Sequence, residues 1–467
     1  MIKPAKEVKH MKDVIVIGGG AGGVPAAIRA AQLGADVALV EAGEFGGLCM
    51  NRGCVPFGHM MLASNVLGAV SFGKKLGLNF DDITRDYAEL KKRQDELIGF
   101  MRMGVSSTLK KNKIELIEGK GELFGNGKVT VNGKSISCKN VILATGATWV
   151  KPDFPGSDIE EVINSDDLLT ADELPERALL FGRSPWLLEI AQFLHRFGKK
   201  VVLATPGKSI LANESKAIRT RLNKALKTEG IEIKREAEIT DIKKQKGGLS
   251  VALNFKKGSD TVLVDRIIHI ERAPSLKGLG LSSVGLDENA EVLEVDRRME
   301  TTAKGIYAIG DLTGPQERHY SHLSSEGAIV AAENAMGLNS TMNPLTFTRV
   351  LFTQPQVASV GMTEKEAKKA GHDVIVGSAP YGMNPLGMLL SENEGIVEVV
   401  ADQKYGEVLG THFVGSNVAE MAGQAILTIQ MEGTLEDLAR ASFPHPTLSE
   451  SLPEAARNAL GRHIYLP

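Results

Sequence analysis

Cysteine is scarce in this sequence, with three residues in a chain of 467: Cys49, Cys54 and Cys138. Secreted proteins that depend on disulfides carry many more cysteines in much shorter chains, so that class is excluded. No apolar run approaches the roughly 18 residues of a membrane span. The basic stretch Met1 to Lys12 lacks the apolar core of a signal peptide, and we expect a frayed tail there. These absences predict a cytoplasmic protein.

An excess of charge of either sign is also missing. Lys and Arg total 54 and Asp and Glu total 57, so the formal net charge is −3. Such a chain offers no electrostatic attraction for nucleic acid or for an anionic membrane, and we expect neither as a partner. Apolar residues (43%) and charged residues (24%) are near globular averages, which excludes disordered, collagen-like and coiled-coil proteins. The length suits about three domains of about 150 residues.

Glycine, in contrast, is abundant, and its first cluster follows a buried-strand pattern, DVIVI. The cluster satisfies G-x-G-x-x-G at Gly18, Gly20 and Gly23, and a small apolar helix follows it. A second strand then ends on Glu41. This arrangement is typical of a dinucleotide site, in which a pyrophosphate contacts the helix N-terminus and an acid accepts hydrogen bonds from ribose. The alternative is a purely structural turn.

The pattern recurs later in the chain. Ala178 to Phe181 is strand-like and leads to Gly182, a helix is predicted over Trp186 to Phe197, and Val201 to Ala204 reads as another strand. Lys304 to Asp311 predicts a further strand that ends on an acid. We therefore predict an α/β fold in which a second βαβ domain is inserted into the first, followed by a C-terminal α+β domain.

Local signals predict several other elements. A long exposed helix is expected over Thr84 to Lys111, and a hairpin turn at Asn132-Gly133. Thr363 to Glu366 has the sequence of a capping box, and Met421 to Met431 predicts an apolar helix.

Two thiols five positions apart, Cys49 and Cys54, are the next signal. They can form a disulfide if the chain bends between them, and a helix N-terminus would lower a thiol pKa. One alternative is half of a metal site, but no second pair exists to complete four ligands, so we expect no metal. The other is a pair of inert buried cysteines. Cys138, in a predicted hairpin, is expected to be a packed bystander.

His445 and Glu450 lie close together near the C-terminus. A carboxylate bound to one ring nitrogen would fix the tautomer and raise the basicity of the other nitrogen. Ordinary helix capping is the alternative interpretation of this segment.

Taken together, the segments GGGAGG, GGLCMNRGCVP, ATGA, YAIGD, TQPQVASVGMTEKEA and FPHPTLSE resemble the pyridine nucleotide-disulfide oxidoreductases, and within them the dihydrolipoamide dehydrogenase branch. The resemblance implies two Rossmann-like dinucleotide-binding domains and a C-terminal dimerisation domain. FAD would bind to residues 12–149 and 273–344, NAD(P) to residues 150–272, and residues 345–467 would form the homodimer interface.

The resemblance also implies roles for individual residues. Cys49 would attack substrate, Cys54 would be the charge-transfer thiol over the flavin, and His445, oriented by Glu450, would be the acid-base residue of the partner subunit. The residues that would contact FAD are Gly18, Gly20, Gly23, Glu41, Gly146 and Asp311. The implied reaction oxidises the dihydrolipoyl group of a carrier protein and passes the electrons to NAD+.

One departure from the family pattern lies next to the redox segment. The family has Ser-Lys where this chain has Phe57 and Gly58, and that Lys normally pairs with the residue matching Glu189. An unpaired buried charge is costly, so we expect that Glu189 is protonated or that His59 or Arg183 replaces the lost cation.

Three further departures affect the predicted NAD(P) site. The second glycine pattern is degenerate, with Gly182 followed by Ser184 and Leu187, which carry side chains where glycine is expected. The following strand ends on Thr205 instead of an acid, and Glu271 replaces a glycine of the family's G-R-x-P segment.

We therefore expect standard NAD(P) binding to be lost or weakened, with Trp186 covering the flavin face that a nicotinamide would use. The alternative is that Trp186 is a core residue and NAD+ still binds. Two other functions remain open: a dihydrolipoamide-type enzyme with a protein electron partner, and a catalytically silent flavoprotein subunit.

Overall fold

A computed structural model describes residues 11–125 and 127–467. Most of the tail expected at Met1 to Lys12 lies outside these residues. Its last residue does not fray: Lys12 begins the first strand, and its Nζ lies 2.7 Å from carboxylate oxygens of both Asp36 and Glu115.

The first part of the chain alternates strands and helices around one mostly parallel sheet. Its elements are β1 (Lys12–Ile17), α1 (Gly23–Gln32), β2 (Val37–Glu41), α2 (Gly47–Arg52), α3 (Cys54–Gly73), α4 (Tyr87–Lys111), β3 (Glu115–Glu118), β4 (Gly121–Leu123), β5 (Lys128–Val131), β6 (Lys134–Leu143) and β7 (Ala147–Trp149). The strand order is β3-β2-β1-β6-β5-β4. Val14 and Val16 pack with α1, whereas Ile15 and Ile17 pack with β4 and β5, so β1 is buried on both faces.

A second sheet follows. Its elements are β8 (Val162–Asn164), α5 (Ser165–Thr170), β9 (Arg177–Phe181), α6 (Leu187–Arg196), β10 (Lys200–Thr205), α7 (Lys216–Glu229), β11 (Ile233–Arg235), β12 (Glu238–Gln245), β13 (Gly248–Asn254), β14 (Ser259–Val264), β15 (Arg266–His269) and β16 (Arg272–Pro274). The parallel order is β11-β10-β9-β15-β8, and β12, β13 and β14 form a separate antiparallel sheet.

The chain then returns to the first sheet. Strand β17 (Ile306–Ala308) pairs in parallel with β6, and α8 (Ser321–Ala335) packs on α1. Strands β7 and β16, which lead out of and back into the first unit, pair antiparallel. This confirms the predicted insertion. The boundaries predicted after residues 149 and 272 fall on these two strands and stay a prediction. The strand expected to end on Asp311 is shorter, because Gly310–Thr313 is a 3₁₀ turn.

The C-terminal part is an antiparallel sheet with helices packed against it, as predicted for an α+β domain. Its elements are β18 (Thr348–Leu351), β19 (Gln356–Gly361), α9 (Glu364–Lys369), β20 (Val374–Pro380), α10 (Pro385–Leu389), β21 (Ile396–Asp402), β22 (Val408–Gly415), α11 (Val418–Gln430), α12 (Leu435–Arg440) and α13 (Ser451–Ala459). The strand order is β18-β19-β22-β21-β20.

Local sequence signals agree with the structure where the turn chemistry is specific. Asn132 and Gly133, with φ of 50° and 74°, connect β5 to β6 as a two-residue hairpin. Thr363 and Glu366 form the predicted capping box of α9. Helix α4 begins three residues later than expected because the Asp86 side chain caps it. Helix α11 begins earlier than expected and ends one residue sooner.

The sequence pattern did not predict one long apolar segment. It is Gly47–Leu76, which comprises α2, α3 and a short 3₁₀ turn. By length and composition alone it could cross a membrane. The same segment carries Cys49 and Cys54, and its Met60 and Met61 belong to a core shared with α6. Its outer face exposes Leu62, so part of its apolar surface is left for another contact.

A buried ion pair joins Glu214, which lies just before α7, to Arg349 in strand β18 of the C-terminal sheet. Arg349 Nε lies 2.7 Å from Glu214 Oε1, both side chains are buried, and the Ser359 hydroxyl donates to the other carboxylate oxygen. Such a pair stabilises only while both charges are present, because removal of one leaves the other buried and unpaired.

Arg349→Met is therefore expected to lower the free energy of unfolding by about 3 kcal/mol, measured by denaturant unfolding. The matched control is Lys368→Met, which breaks an exposed pair with Glu364 and should cost less than about 0.5 kcal/mol. Equal losses in the two variants would contradict this account of the buried pair.

Candidate functional site

The first glycine turn is closed tightly between β1 and α1. A Cβ on Gly23 would lie 1.7 Å from the Gly18 carbonyl oxygen. Gly18 has φ of 106°, and a Cβ there would lie 2.3 Å from the Ala144 carbonyl oxygen. A Cβ on Gly47, at the start of α2, would lie 2.7 Å from the Gly20 Cα. The turn therefore brings backbone N–H groups of the α1 N-terminus to a surface where a pyrophosphate fits.

Glu41 is held at the edge of this turn by two backbone groups. Its Oε2 accepts a hydrogen bond from Gly19 N at 2.5 Å, and its Oε1 accepts one from Gly43 N at 2.7 Å. An ionised carboxylate has further acceptor positions, so this geometry fits ribose hydroxyls. The residues of the first sheet thus fit the adenine half of a dinucleotide.

Two other residues expected to contact the cofactor lie at the same edge of the first sheet. Gly146 follows β6, has φ of 70°, and accepts a hydrogen bond from Ser275 N at 2.8 Å. Asp311 follows β17, and its Oδ2 lies 3.8 Å from His319 Nδ1.

The two predicted redox thiols meet at the junction of α2 and α3. Cys49 lies within α2 and is partly buried, whereas Cys54 is the first residue of α3 and is exposed; both are thiols here. The Cys54 Sγ also lies 3.3 Å from the hydroxyl of Ser321, the first residue of α8. The sequence analysis missed Ser321; its one signal is its place at the start of the helix after Asp311.

The two thiols share a proton. The hydrogen bond from Cys54 lowers the pKa of Cys49 to about 6; burial opposes this shift, and Ser321 assists it. The pKa of Cys54 is raised, because Cys54 donates that hydrogen bond, is desolvated and lies beside the negative charge of Cys49. Near neutral pH the pair therefore holds one nucleophilic thiolate and one retained proton.

The predicted acid-base pair is formed, but away from these thiols. His445 Nδ1 lies 2.9 Å from Glu450 Oε1, and the other oxygen of Glu450 accepts a hydrogen bond from Thr447 N. The His445 side chain is 65% exposed. Within residues 11–125 and 127–467, no hydrogen bond joins His445 to Cys49 or Cys54.

Glu189 is buried on α6 without a cation among the described residues. Its Oε1 accepts a hydrogen bond from Phe352 N at 2.8 Å. Burial raises its pKa to about 7, in spite of that hydrogen bond, and its charge interacts unfavourably with that of Cys54. Of the three expectations for this residue, the structure favours protonation: Arg183 contacts Glu271 instead, and the charge that acts on His59 is that of Arg93.

The second glycine turn contains a carboxylate. Glu271 Oε1 accepts a hydrogen bond from Arg183 N at 3.1 Å and lies 2.4 Å from where a Cβ of Gly182 would be. Burial raises the pKa of Glu271. A pyrophosphate bound in this turn would find the Arg183 N–H already used by Glu271, and its negative charge would lie close to the Glu271 carboxylate.

The other residues of the degenerate site are packed. Ser184, Leu187 and Thr205 are all buried, and the Thr205 hydroxyl accepts a hydrogen bond from Gly207 N. Trp186 precedes α6, and its ring meets that of Tyr320 edge-on at 5.6 Å. In the described part of the chain, no group of three or more His, Cys, Asp or Glu residues could hold a metal ion.

Comparisons with known proteins cover nearly the whole chain. The family model "Pyridine nucleotide-disulphide oxidoreductase" matches residues 12–336, and the model of that family's dimerisation domain matches residues 347–456. A dihydrolipoyl dehydrogenase of Thermus scotoductus is 37% identical and covers 95% of this chain and 96% of its own. One from Bacillus subtilis is 31% identical, with 97% and 99% covered.

A solved structure gives the same fold. The HOCl-induced flavoprotein disulfide reductase RclA of Escherichia coli, as its Cu(II) complex, superposes with a TM-score of 0.82. It is 24% identical and covers 96% of this chain and 99% of its own.

Gly23→Ala is expected to remove bound flavin dinucleotide, because its Cβ would collide with the Gly18 carbonyl. The measurement is the flavin-to-protein ratio of the purified chain. Gly104→Ala, within α4 and with open space for its Cβ among the described residues, should retain the cofactor. Full flavin content in the Gly23 variant would be inconsistent with this site.

Glu189→Gln is expected to stabilise the protein above neutral pH. The folded-state pKa of Glu189 is raised from 4.5 to about 7, so the folded chain binds the extra proton and loses stability as pH rises through that window. Gln keeps the acceptor for Phe352 N and does not titrate. A pKa difference of one between the folded and unfolded states corresponds to about 1.4 kcal/mol, so the difference between 4.5 and about 7 predicts a gain of about 3 kcal/mol at about pH 8.

The matched control is Glu366→Gln. Burial raises the pKa of Glu366, but hydrogen bonds with Thr363 outweigh it and lower the pKa overall. This variant should lose stability in the same pH range, as measured by denaturant unfolding. If the free energy of unfolding of Glu189→Gln depends on pH as that of the wild type does, then the Glu189 carboxyl does not have the raised pKa of a buried, unpaired acid.

Proposed function

The chain belongs to the pyridine nucleotide-disulphide oxidoreductase family, and from this premise we propose that it oxidises protein-bound dihydrolipoyl groups through Cys49 and Cys54. It is a flavin disulfide oxidoreductase that carries FAD and forms a homodimer. The observation that carries the proposal is the thiol pair that shares one proton at the start of α3. The dithiol substrate is inferred from relatives that are named dihydrolipoyl dehydrogenase.

The reaction begins with Cys49 and Cys54 joined as a disulfide. His445 of the partner subunit takes the proton of one substrate thiol, and the resulting thiolate attacks the Cys49 sulfur. A mixed disulfide forms on Cys49, and Cys54 leaves as a thiolate. The second substrate thiol gives up its proton to solvent and attacks the substrate sulfur of this mixed disulfide, which releases oxidised substrate and the Cys49 thiolate. The cysteine pair has gained two electrons.

The turn at Gly18, Gly20 and Gly23, together with Glu41, would hold FAD, which would supply a two-electron acceptor for the cysteine pair. The chain's own residues set up the thiol chemistry. A low pKa makes Cys49 a good leaving group, Ser321 can donate a hydrogen bond to the Cys54 thiolate, and Glu450 fixes the tautomer of His445.

In the homodimer, the partner subunit supplies the histidine that the thiols of one chain lack. His445 is exposed and makes no hydrogen bond to the thiols of its own subunit in the described residues, while α3 leaves Leu62 and Val66 exposed, by 62% and 57%. Both observations support an active site that two subunits complete. We also propose that the enzyme works in a reducing cytoplasm on a lipoyl-carrying protein.

A second candidate differs only in the electron acceptor. The family's usual acceptor is NAD+, but Glu271 already uses the Arg183 amide in the second glycine turn. This observation favours a protein electron partner in place of NAD(P). A catalytically silent subunit is disfavoured, because Cys49, Cys54, His445 and Glu450 are all present and both pairs are formed.

His445→Gln is expected to slow dihydrolipoamide oxidation by about 100-fold or more, since a positioned general base contributes 10²–10⁴-fold. An artificial electron acceptor should be used, so that the assay is independent of NAD+. The matched control is His372→Gln, which removes another histidine–carboxylate pair, with Asp402 at 3.3 Å. Similar rates in both variants would exclude the acid-base role.

Glu271→Gly is expected to tighten NADH binding by about tenfold or more, because it opens the turn and removes a like charge. Glu271→Gln removes the charge but keeps the bulk, and should give an intermediate dissociation constant by calorimetry. If the wild-type protein binds NADH as tightly as Glu271→Gly does, then Glu271 does not block nucleotide binding at this turn.

A further inference from the structure

A buried histidine lies beside the acid that follows β17. The His319 side chain is 1% exposed, and its Nδ1 lies 3.8 Å from Asp311 Oδ2. The other ring nitrogen, Nε2, lies 3.0 Å from the Gly314 carbonyl oxygen. A carbonyl oxygen can only accept, so Nε2 carries the hydrogen of the neutral ring and Nδ1 is left as an acceptor. These two atoms, His319 Nδ1 and Asp311 Oδ2, form an acceptor pair.

The described part of the chain leaves this acceptor pair without a donor. His319 Nδ1 is buried and has no hydrogen-bond partner among the residues that the structure describes. A buried acceptor without a donor is costly, and an ionised carboxylate cannot supply one. Two acceptors so close together fit a ligand that carries hydroxyl groups on adjacent carbon atoms.

The segment between the two residues is anchored by the second unit of the fold. The Gln316 side chain bonds two backbone groups there: its Nε2 donates to the Ile270 carbonyl oxygen at 2.6 Å, and its Oε1 accepts from Arg272 N at 3.1 Å. The position of the acceptor pair is therefore fixed by contacts within the protein, before any ligand binds.

The same segment connects the two ends of the proposed cofactor site. At its start, the Ile309 Cδ1 would lie 3.0 Å from a Cβ on Gly22, in the first glycine turn. At its end, the Ser321 hydroxyl lies 3.3 Å from Cys54 Sγ. A flavin dinucleotide that reaches from the glycine turn to the thiols lies along this segment. Its ribityl chain, which joins the pyrophosphate to the flavin ring, carries hydroxyl groups on adjacent carbon atoms.

We propose that His319 is a cofactor-binding residue: its Nδ1 and the Asp311 carboxylate accept hydrogen bonds from neighbouring hydroxyls of the FAD ribityl chain. The orphaned Nδ1 is the observation that carries the proposal, because a ribityl hydroxyl supplies the donor that the protein does not. The inference rests on the proposed function, which requires FAD, and adds to it a residue outside both the glycine turn and the thiol segment.

The experiment separates the two ring nitrogens of His319. In His319→Gln the side-chain amide can still donate to the Gly314 carbonyl in place of Nε2, but nothing replaces Nδ1. The dissociation constant of FAD, measured on the holoenzyme by equilibrium dialysis, is expected to rise about tenfold, the effect of one lost hydrogen bond. In His319→Asn the side-chain oxygen can replace Nδ1, so this variant should bind FAD more tightly than His319→Gln.

A second ligand identifies the group that is bound. It is an FAD analogue in which a plain alkyl chain replaces the ribityl chain. Because the analogue has no hydroxyls to donate, His319→Gln should bind it about as tightly as the wild type does.

The matched control is His322→Gln. His322 also contacts a backbone carbonyl through Nε2, that of Thr348 at 3.0 Å, but its side chain is exposed. This variant should bind FAD with the wild-type dissociation constant.

The outcomes separate the inference from the function that it extends. Weaker FAD binding in His319→Gln, absent from His322→Gln and absent with the alkyl analogue, supports the proposal. Unchanged FAD binding in His319→Gln, an equal loss in both histidine variants, or an equal loss with both ligands overturns the role of His319 alone. Wild-type protein that binds no FAD would contradict the proposed function, and the inference with it.

Discussion

The proton shared by Cys49 and Cys54 is the interaction on which the rest of the structure depends. It needs two thiols in contact at the start of α3, which the bend at Gly53 provides, and the first residue of α8 beside them. Helix α8 reaches that place because β17 returns to the first sheet after the whole second unit. A pair that keeps one proton holds one thiolate, which is able to attack a disulfide and is also a good leaving group when a disulfide that contains it is cleaved.

The charges around this pair differ from the family pattern in a consistent way. Gly58 stands where the resemblance implies a lysine, and burial raises the pKa of Glu189 to about 7, so that this carboxyl is protonated below neutral pH. Glu271 enters the second glycine turn, and Arg272 is held next to it between Trp149 and Trp186. The second glycine turn therefore holds a carboxylate of its own, and the arginine next to that carboxylate packs between two aromatic rings.

Sequence patterns predicted the features that depend on short stretches of chain. The strand–turn–helix at Gly18, the hairpin at Asn132-Gly133 and the capping box at Thr363 follow from backbone requirements of a few residues. The contact between Cys54 and Ser321 joins residues 267 positions apart, and nothing local encodes it. The apolar character of α3 was also missed, because glycine, serine and histidine interrupt its runs while the helix as a whole stays apolar.

The central claim is that the dithiol half of the reaction is intact while the nucleotide half is blocked. The most direct test is an anaerobic titration of the FAD-loaded enzyme, in which the flavin absorbance is followed with dihydrolipoamide and, separately, with NADH. The account predicts that dihydrolipoamide reduces the flavin at low excess and that NADH does not. Reduction by NADH at a similarly low excess would contradict it and would identify an enzyme that uses the usual nicotinamide acceptor.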